Sequence, residues 1–299
     1  MNLARQEAPN ADALRRVALW ERLGLLSLVA PALALIAVTM LAPVGWLFYL
    51  SLLSDAGQWS LEHYQRMWEQ PSYWRTFVTT FQVSLLTTGI CMLIGYPLAY
   101  FLSELPRRAA NLCMIAVLLP LWTSLLVRTY AWLVLLQRKG LINSAGIALG
   151  WWDEPLPLVH NLTGTLIGTV HVMLPFLILP LYSAMRAIDR DYLKAAANLG
   201  ASPARSFWMV FFPLSLPGLT SGAVIVFILC LGFYITPAVL GGGKVIMVSS
   251  RIANDIEVFF NWGAASALGV VLLVLTVALI AVSSKMLGAR GLLGGREAP

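Results

Sequence analysis

Charge is what this sequence lacks most. Only 11% of its 299 residues are Asp, Glu, Lys or Arg, and 59% are hydrophobic, with a mean hydropathy of +0.78. Soluble domains carry about 25% charged and about 45–50% apolar residues. No globular core in water absorbs so many apolar side chains, so a soluble domain is excluded. The apolar runs are continuous rather than alternating, which excludes a membrane β-barrel as well. Cysteine is rarer still: Cys91, Cys113 and Cys230 each lie inside an apolar run, with neither metal spacing nor a disulfide framework.

Motifs for chemistry are missing too. There is no GxxxxGK[ST] loop, no HExxH, no GxSxG and no CxxC pair. Gly241-Gly242-Gly243-Lys244 falls short of a phosphate loop, because Val245 stands where Ser or Thr would hold magnesium. It reads as a flexible turn. Carboxylates lie outside the apolar runs or near their ends, so no membrane-embedded acid/base pair is visible. No catalytic residue, metal ligand or cofactor is therefore assigned, and an enzyme acting by itself is not the reading. The net charge of +6 does not point to nucleic acid, since Lys and Arg are scattered through short loops. They read as topology-setting charges.

Six runs are long enough to cross a bilayer as helices, which takes roughly 20 residues: 25–53, 77–103, 110–136, 162–186, 218–240 and 262–287. They leave an N-terminal segment 1–24, a loop 187–217 between the fourth and fifth spans, and a tail 288–299. The first run follows basic residues and contains Ala32-Leu33-Ala34, but it continues to Leu53, too long for a cleaved signal. Placing the N-terminus in the cytoplasm puts 13 of the 20 Lys and Arg inside and six outside, with Arg128 in the membrane. The positive-inside rule then sets both termini, and the 187–217 loop, in the cytoplasm. Trp59, Tyr64, Trp68, Tyr73, Trp74, Trp151 and Trp152 fall in the outer segments, where interfacial anchoring is the ordinary role of such rings.

Within the spans, Arg128 in LLVRTYAW is the one clear charge at depth. An arginine there costs about 2.5–3.5 kcal/mol on insertion scales, so it either faces protein or water along a translocation path, or snorkels to the outer interface. Tyr130, Trp132 and Tyr234 offer aromatic faces to a cation, or pack the core. Pro97, Pro120, Pro175, Pro180 and Pro237 predict kinks. His171 has no acidic partner at depth and reads as a packing histidine.

The stretch KAAANLGASPARSFWMVFFPLSLPG interrupts the apolar pattern. Asp191 suits the cap of a short helix that runs through Leu199, with Gly200 as a left-handed terminator. Ser202 suits the cap of a second helix opened by Pro203, with Phe207, Val210 and Phe211 as its apolar stripe. Two short helices at an angle would either lie along the membrane or dock a cytoplasmic partner.

Ala195-Ala196, Leu199-Gly200, Val210 and Phe212-Pro213 resemble the EAA motif of permease subunits of bacterial ABC importers. The segments 119–143, 236–252 and 261–276 are similar to those of the spermidine/putrescine-type branch. The resemblance implies an all-α, six-span permease whose 187–217 loop is a coupling helix element seated on an ATPase subunit. Its site residues would be Asp191, Lys194, Ala195, Ala196, Leu199, Gly200, Ser202, Val210 and Pro213. The usual glutamate of the motif falls on Lys194, a reversal of charge. The implied partners are a second permease subunit, two ATP-binding subunits and a periplasmic binding protein. The implied cargo is a polyamine or related amine, imported across the bacterial inner membrane by alternating access. A secondary transporter or channel, and a membrane scaffold, are the competing classes.

Overall fold

The computed structural model of the chain describes residues 8–54 and 56–294. The expected segment 1–24 and tail 288–299 lie partly outside these residues. Thirteen α-helices follow in order among the described residues. They are α1 (Ala8–Ser51), α2 (Glu62–Glu69), α3 (Pro71–Glu104), α4 (Arg107–Trp122), α5 (Leu125–Leu136) and α6 (Leu141–Ala148). Then come α7 (Leu162–Ala187), α8 (Asp191–Asn198), α9 (Pro203–Ser206), a π turn (Phe207–Phe211) and α10 (Phe212–Leu231). Last are α11 (Ile235–Leu240), α12 (Val248–Glu257) and α13 (Trp262–Gly294).

Among the described residues, five uninterrupted stretches are long and apolar enough to cross a membrane: Ser27–Ser51, Pro71–Glu104, Leu162–Ala187, Pro203–Leu231 and Trp262–Lys285. The expected span 110–136 is not one straight helix. Arg107–Trp122 and Leu125–Ala148 meet at a bend of 97°; counted as one broken span, the pair brings the crossings from five to six. The break falls just after Pro120, which itself stays inside α4. Pro120 has no N–H to donate, and both the backbone N–H and the hydroxyl of Thr123 turn back to its carbonyl, at 3.2 and 2.9 Å. The expected span 218–240 is also divided. It begins earlier, at Pro203, and stops at Leu231; α11 is a separate helix. Pro237 would crowd the Phe233 carbonyl in a continuous helix, but in α11 it falls within the first turn, where proline is tolerated. Pro97, Pro175 and Pro180 stay inside continuous helices.

The centre is a three-helix core of α3, α7 and α10. On one level Cys91, Met173, Leu177, Val226 and Cys230 are buried together; on the next, Ala99, Leu102, Ile178, Leu181 and Phe211. Small residues let the backbones close. A Cβ on Gly218 would lie 2.4 Å from the Ala184 Cβ, and one on Gly222 would lie 2.9 Å from the Leu177 carbonyl oxygen. Gly218 and Gly222 thus form a GxxxG face of α10 against α7, the packing device of helices that lack a hydrophobic drive in lipid. Four buried hydroxyls on α3 are satisfied within the helix: Thr76, Thr80, Ser84 and Thr88 each donate to the carbonyl four residues earlier. Thr80 also accepts the Val248 N–H at 2.9 Å and so ties α12 to α3. Tyr73 is not an interfacial anchor: it is buried beneath the Arg251 guanidinium, 4.8 Å from its ring centre. Trp59, Trp68, Trp74 and Trp151 are exposed. The most apolar window of α1 buries no residue in the chain, and the helix packs chiefly alongside α13.

Candidate functional site

The stretch between α7 and α10 folds as a corner. Helix α8 starts beside Asp189, whose carboxylate accepts the Asp191 N–H at 2.9 Å. Asp191 is therefore the first helical residue rather than the cap: its side chain is free to accept from Lys194 Nζ at 2.7 Å. Both side chains are about three-quarters exposed. That hydrogen bond, with the charges of Asp191 and Asp189, raises the Lys194 pKa above its ordinary value. The motif's reversed charge is thus partnered inside the same helix.

At the far end, Gly200 takes φ +83. Its N–H donates to Ala197 (2.9 Å) and the Ala201 N–H to Ala196 (3.0 Å). This pair of bonds is the Schellman motif, which satisfies the last carbonyls of α8 and turns the chain sharply. Ser202 then caps α9: its hydroxyl accepts the Arg205 N–H at 3.4 Å, with Pro203 in the first turn. Helix α8 buries no residue, and Leu199 is 89% exposed at the tip of the corner.

The second helix is not short. Helix α9 passes through the π turn, where the Phe212 N–H reaches back to Phe207, and continues as α10 across the core. Pro213 explains the widening. It cannot bond to the Met209 carbonyl and crowds it, so the turn before it takes up an extra residue. The widened turn is gripped by α3: Tyr100 packs edge-on to Phe207 and Phe211, and the Tyr96 hydroxyl pairs with Ser215 at 2.9 Å. Val210 and Pro213 line a 260 Å³ hollow with Tyr192, Met209 and Leu214, between α8 and the π turn.

Sequence reading missed the residue that joins these parts. Arg190, just before α8, pairs with Glu104, donates to the Ser103 carbonyl at 3.2 Å, and lies 5.5 Å from the Phe211 ring centre. Arg186 adds a bond to the same carbonyl at 3.1 Å. Two arginines thus cap the end of α3, and one of them also touches the π turn. In sequence Arg190 is only another positive charge of the loop, and no local signal sets it apart.

A second region gathers the broken spans. Helix α5 packs against α11, and Thr129 meets Thr236 at 3.1 Å. Trp132, one turn beyond Arg128, donates its indole N–H to His171 Nδ1 on α7 at 3.1 Å. Arg128 lies within electrostatic reach of that histidine, and its Nε and Nη1 are buried without a hydrogen-bond partner. Trp132 is thereby tied to α7 through His171. Tyr130 and Tyr234 are 54% and 39% exposed. Among the described residues, no group of His, Cys, Asp and Glu is placed to hold a metal ion.

Comparison with known proteins gives the family and the fold. The family described as "Binding-protein-dependent transport system inner membrane component" matches residues 32–290. The chain is 34% identical over 252 residues to a spermidine/putrescine transport system permease protein, PotB, of Haemophilus influenzae, covering 84% of this chain and 86% of that one. PotB of Escherichia coli is 31% identical over 211 residues, 70% of this chain and 76% of the other. Among solved structures, a bacterial alginate ABC transporter in complex with an alginate pentasaccharide-bound periplasmic protein aligns with a TM-score of 0.73. It covers 94% of this chain and 97% of that one at 14% identity, and so speaks to the fold alone. With the family matched over most of its length, this chain belongs to the binding-protein-dependent transport system inner membrane components.

Proposed function

We propose that this permease imports a polyamine-class cation, and that the corner of α8, Gly200 and α9 is its seat on an ATP-hydrolysing subunit. The chain itself performs no covalent chemistry; it exchanges inward- and outward-facing states. ATP biases that exchange only if the two states differ in their contacts with the ATPase. The single observation that carries the reading is the exposed corner, continuous through the π turn with a core span. Unburied Leu199 and Tyr192 supply its apolar contact surface. A tilt of α8 on the ATPase would reach α10 along one helix and α3 through Arg190. Asp191, Lys194, Ala195, Ala196, Leu199, Gly200, Ser202, Val210 and Pro213 are the residues of this seat.

The cargo follows from the PotB relatives and from the chemistry of the broken spans. Tyr130 and Tyr234 present faces on which an ammonium group can rest. Arg128, which would repel such a cargo, is assigned to the side of the bundle near His171 rather than to the cargo's path. A second permease subunit, two ATP-binding subunits and a periplasmic binding protein complete the importer, with both termini of this chain in the cytoplasm. The test is uptake of labelled putrescine and spermidine in cells that depend on this transporter, with co-purification of the ATPase. Uptake should vanish on deletion and return with the intact chain. ATPase-independent uptake would refute the coupling, and no polyamine uptake would refute the cargo.

A further inference from the structure

On the side of the bundle away from the corner, α2, α3, α10 and α13 enclose a groove of about 910 Å³. One stripe of α3 forms its back wall, from Trp74 through Phe77, Phe81 and Gln82 to Leu85. Val271 and Leu275 of α13 face it, Phe227 of α10 closes the side, and Tyr64, Met67 and Trp68 of α2 form a roof. No charged residue lines it. We propose that this groove holds one acyl chain of a phospholipid from the leaflet on the α2 side, the outer leaflet in the orientation given above, with its phosphate at Arg75.

Depth is the first argument. Trp74 and Leu85 are eleven residues apart, about 16 Å along a helix. That is half of a hydrocarbon core of about 30 Å. On α13, Leu275 lies thirteen residues below Trp262, about 20 Å, so both walls end near the same level. An acyl chain ends at the midplane; a transmembrane helix does not, and α2 roofs the groove where such a helix would have to leave. The second argument is the mouth. Trp68 and Trp74 are 89% and 69% exposed at its rim, the position of aromatic rings at a headgroup boundary. Arg75 is exposed beside Trp74 and one turn above Val78, at the level of the mouth, where a guanidinium can donate to a phosphate oxygen. Tyr64 is already engaged, since its hydroxyl donates to Ser51 at 2.8 Å.

The test is native mass spectrometry of the full-length chain, purified with its accompanying subunits from nanodiscs of phosphatidylethanolamine and phosphatidylglycerol. One phospholipid per copy of this chain should survive detergent exchange. Leu85→Trp fills the floor and should lower retention roughly tenfold, the factor that about two methylene contacts are worth. Arg75→Gln, at an exposed position, should lower it roughly fivefold by loss of one cation near the surface. Retention unchanged in Arg75→Gln overturns the assignment, even if Leu85→Trp fails to assemble. A cysteine at Val78 that cross-links to the second permease subunit also overturns it, by placing a protein helix in the groove.

Discussion

Substitution of Gly200 by valine places a β-branched side chain at φ +83, where nothing lies within 4 Å of the new Cβ. The cost is therefore backbone strain without a clash, about 1–2 kcal/mol. The two Schellman bonds that hold the corner are worth about 0.5–1.5 kcal/mol each. Strain and bonding are of the same size, so the corner reopens rather than enduring the strain. A shift of that size changes the population of the native corner by a factor of about 5–30. Because α8 buries no residue, little of this reaches the core of α3, α7 and α10. Gly200→Val should thus insert and melt as the native chain does, yet lose the ATPase on purification and lose uptake. Gly200→Asn should keep much of both, since asparagine visits the left-handed region at low cost. Normal uptake and ATPase retention in Gly200→Val would refute the reasoning. So would equal defects in the valine and asparagine variants, which would show that the bare surface of glycine, not its φ, is what the partner needs.

Lys194→Glu sets a third carboxylate beside Asp189 and Asp191 on an exposed helix; melting should not change, ATPase co-purification should weaken, and a basic residue at the facing ATPase position should restore it. Unchanged assembly would remove Lys194 from the contact. Arg190→Ala should leave the subunits assembled but reduce substrate-stimulated over basal ATP hydrolysis, with Arg190→Lys in between because lysine keeps the charge but not the fork or the ring contact. The Arg190–Glu104 pair is about 40% exposed, so a double-mutant cycle should return only about 0–1 kcal/mol of stability; full coupling in Arg190→Ala would dismiss its positioning role. Gly218→Leu drives a side chain into Ala184 and the Pro180 carbonyl, at 2.4 and 3.0 Å from its Cβ. It should cost about 1–3 kcal/mol, read as a lower melting temperature in detergent. An unchanged melting temperature would contradict the close α7–α10 approach.

What sequence alone determined is what local chemistry determines. Apolar run length made this a helical membrane protein with five to six crossings, because a bilayer demands about 20 apolar residues whatever the neighbours do. The turn at Gly200 and the cap at Ser202 were legible because left-handed φ and N-terminal capping need only residues adjacent in the chain. Tertiary structure decided the rest. Pro97, Pro120, Pro175, Pro180 and Pro237 look alike in sequence, yet two lie at broken helices and three stay inside continuous ones. Whether a proline breaks a span depends on what its freed neighbours can bond and pack against, as α5 and α11 do through Thr129 and Thr236. Arg190 is the sharpest case. Its partners Ser103 and Glu104 are 87 and 86 residues away in the chain. Only the folded bundle brings them to it, and so only the bundle turns one positive charge among many into the joint between the corner and the core.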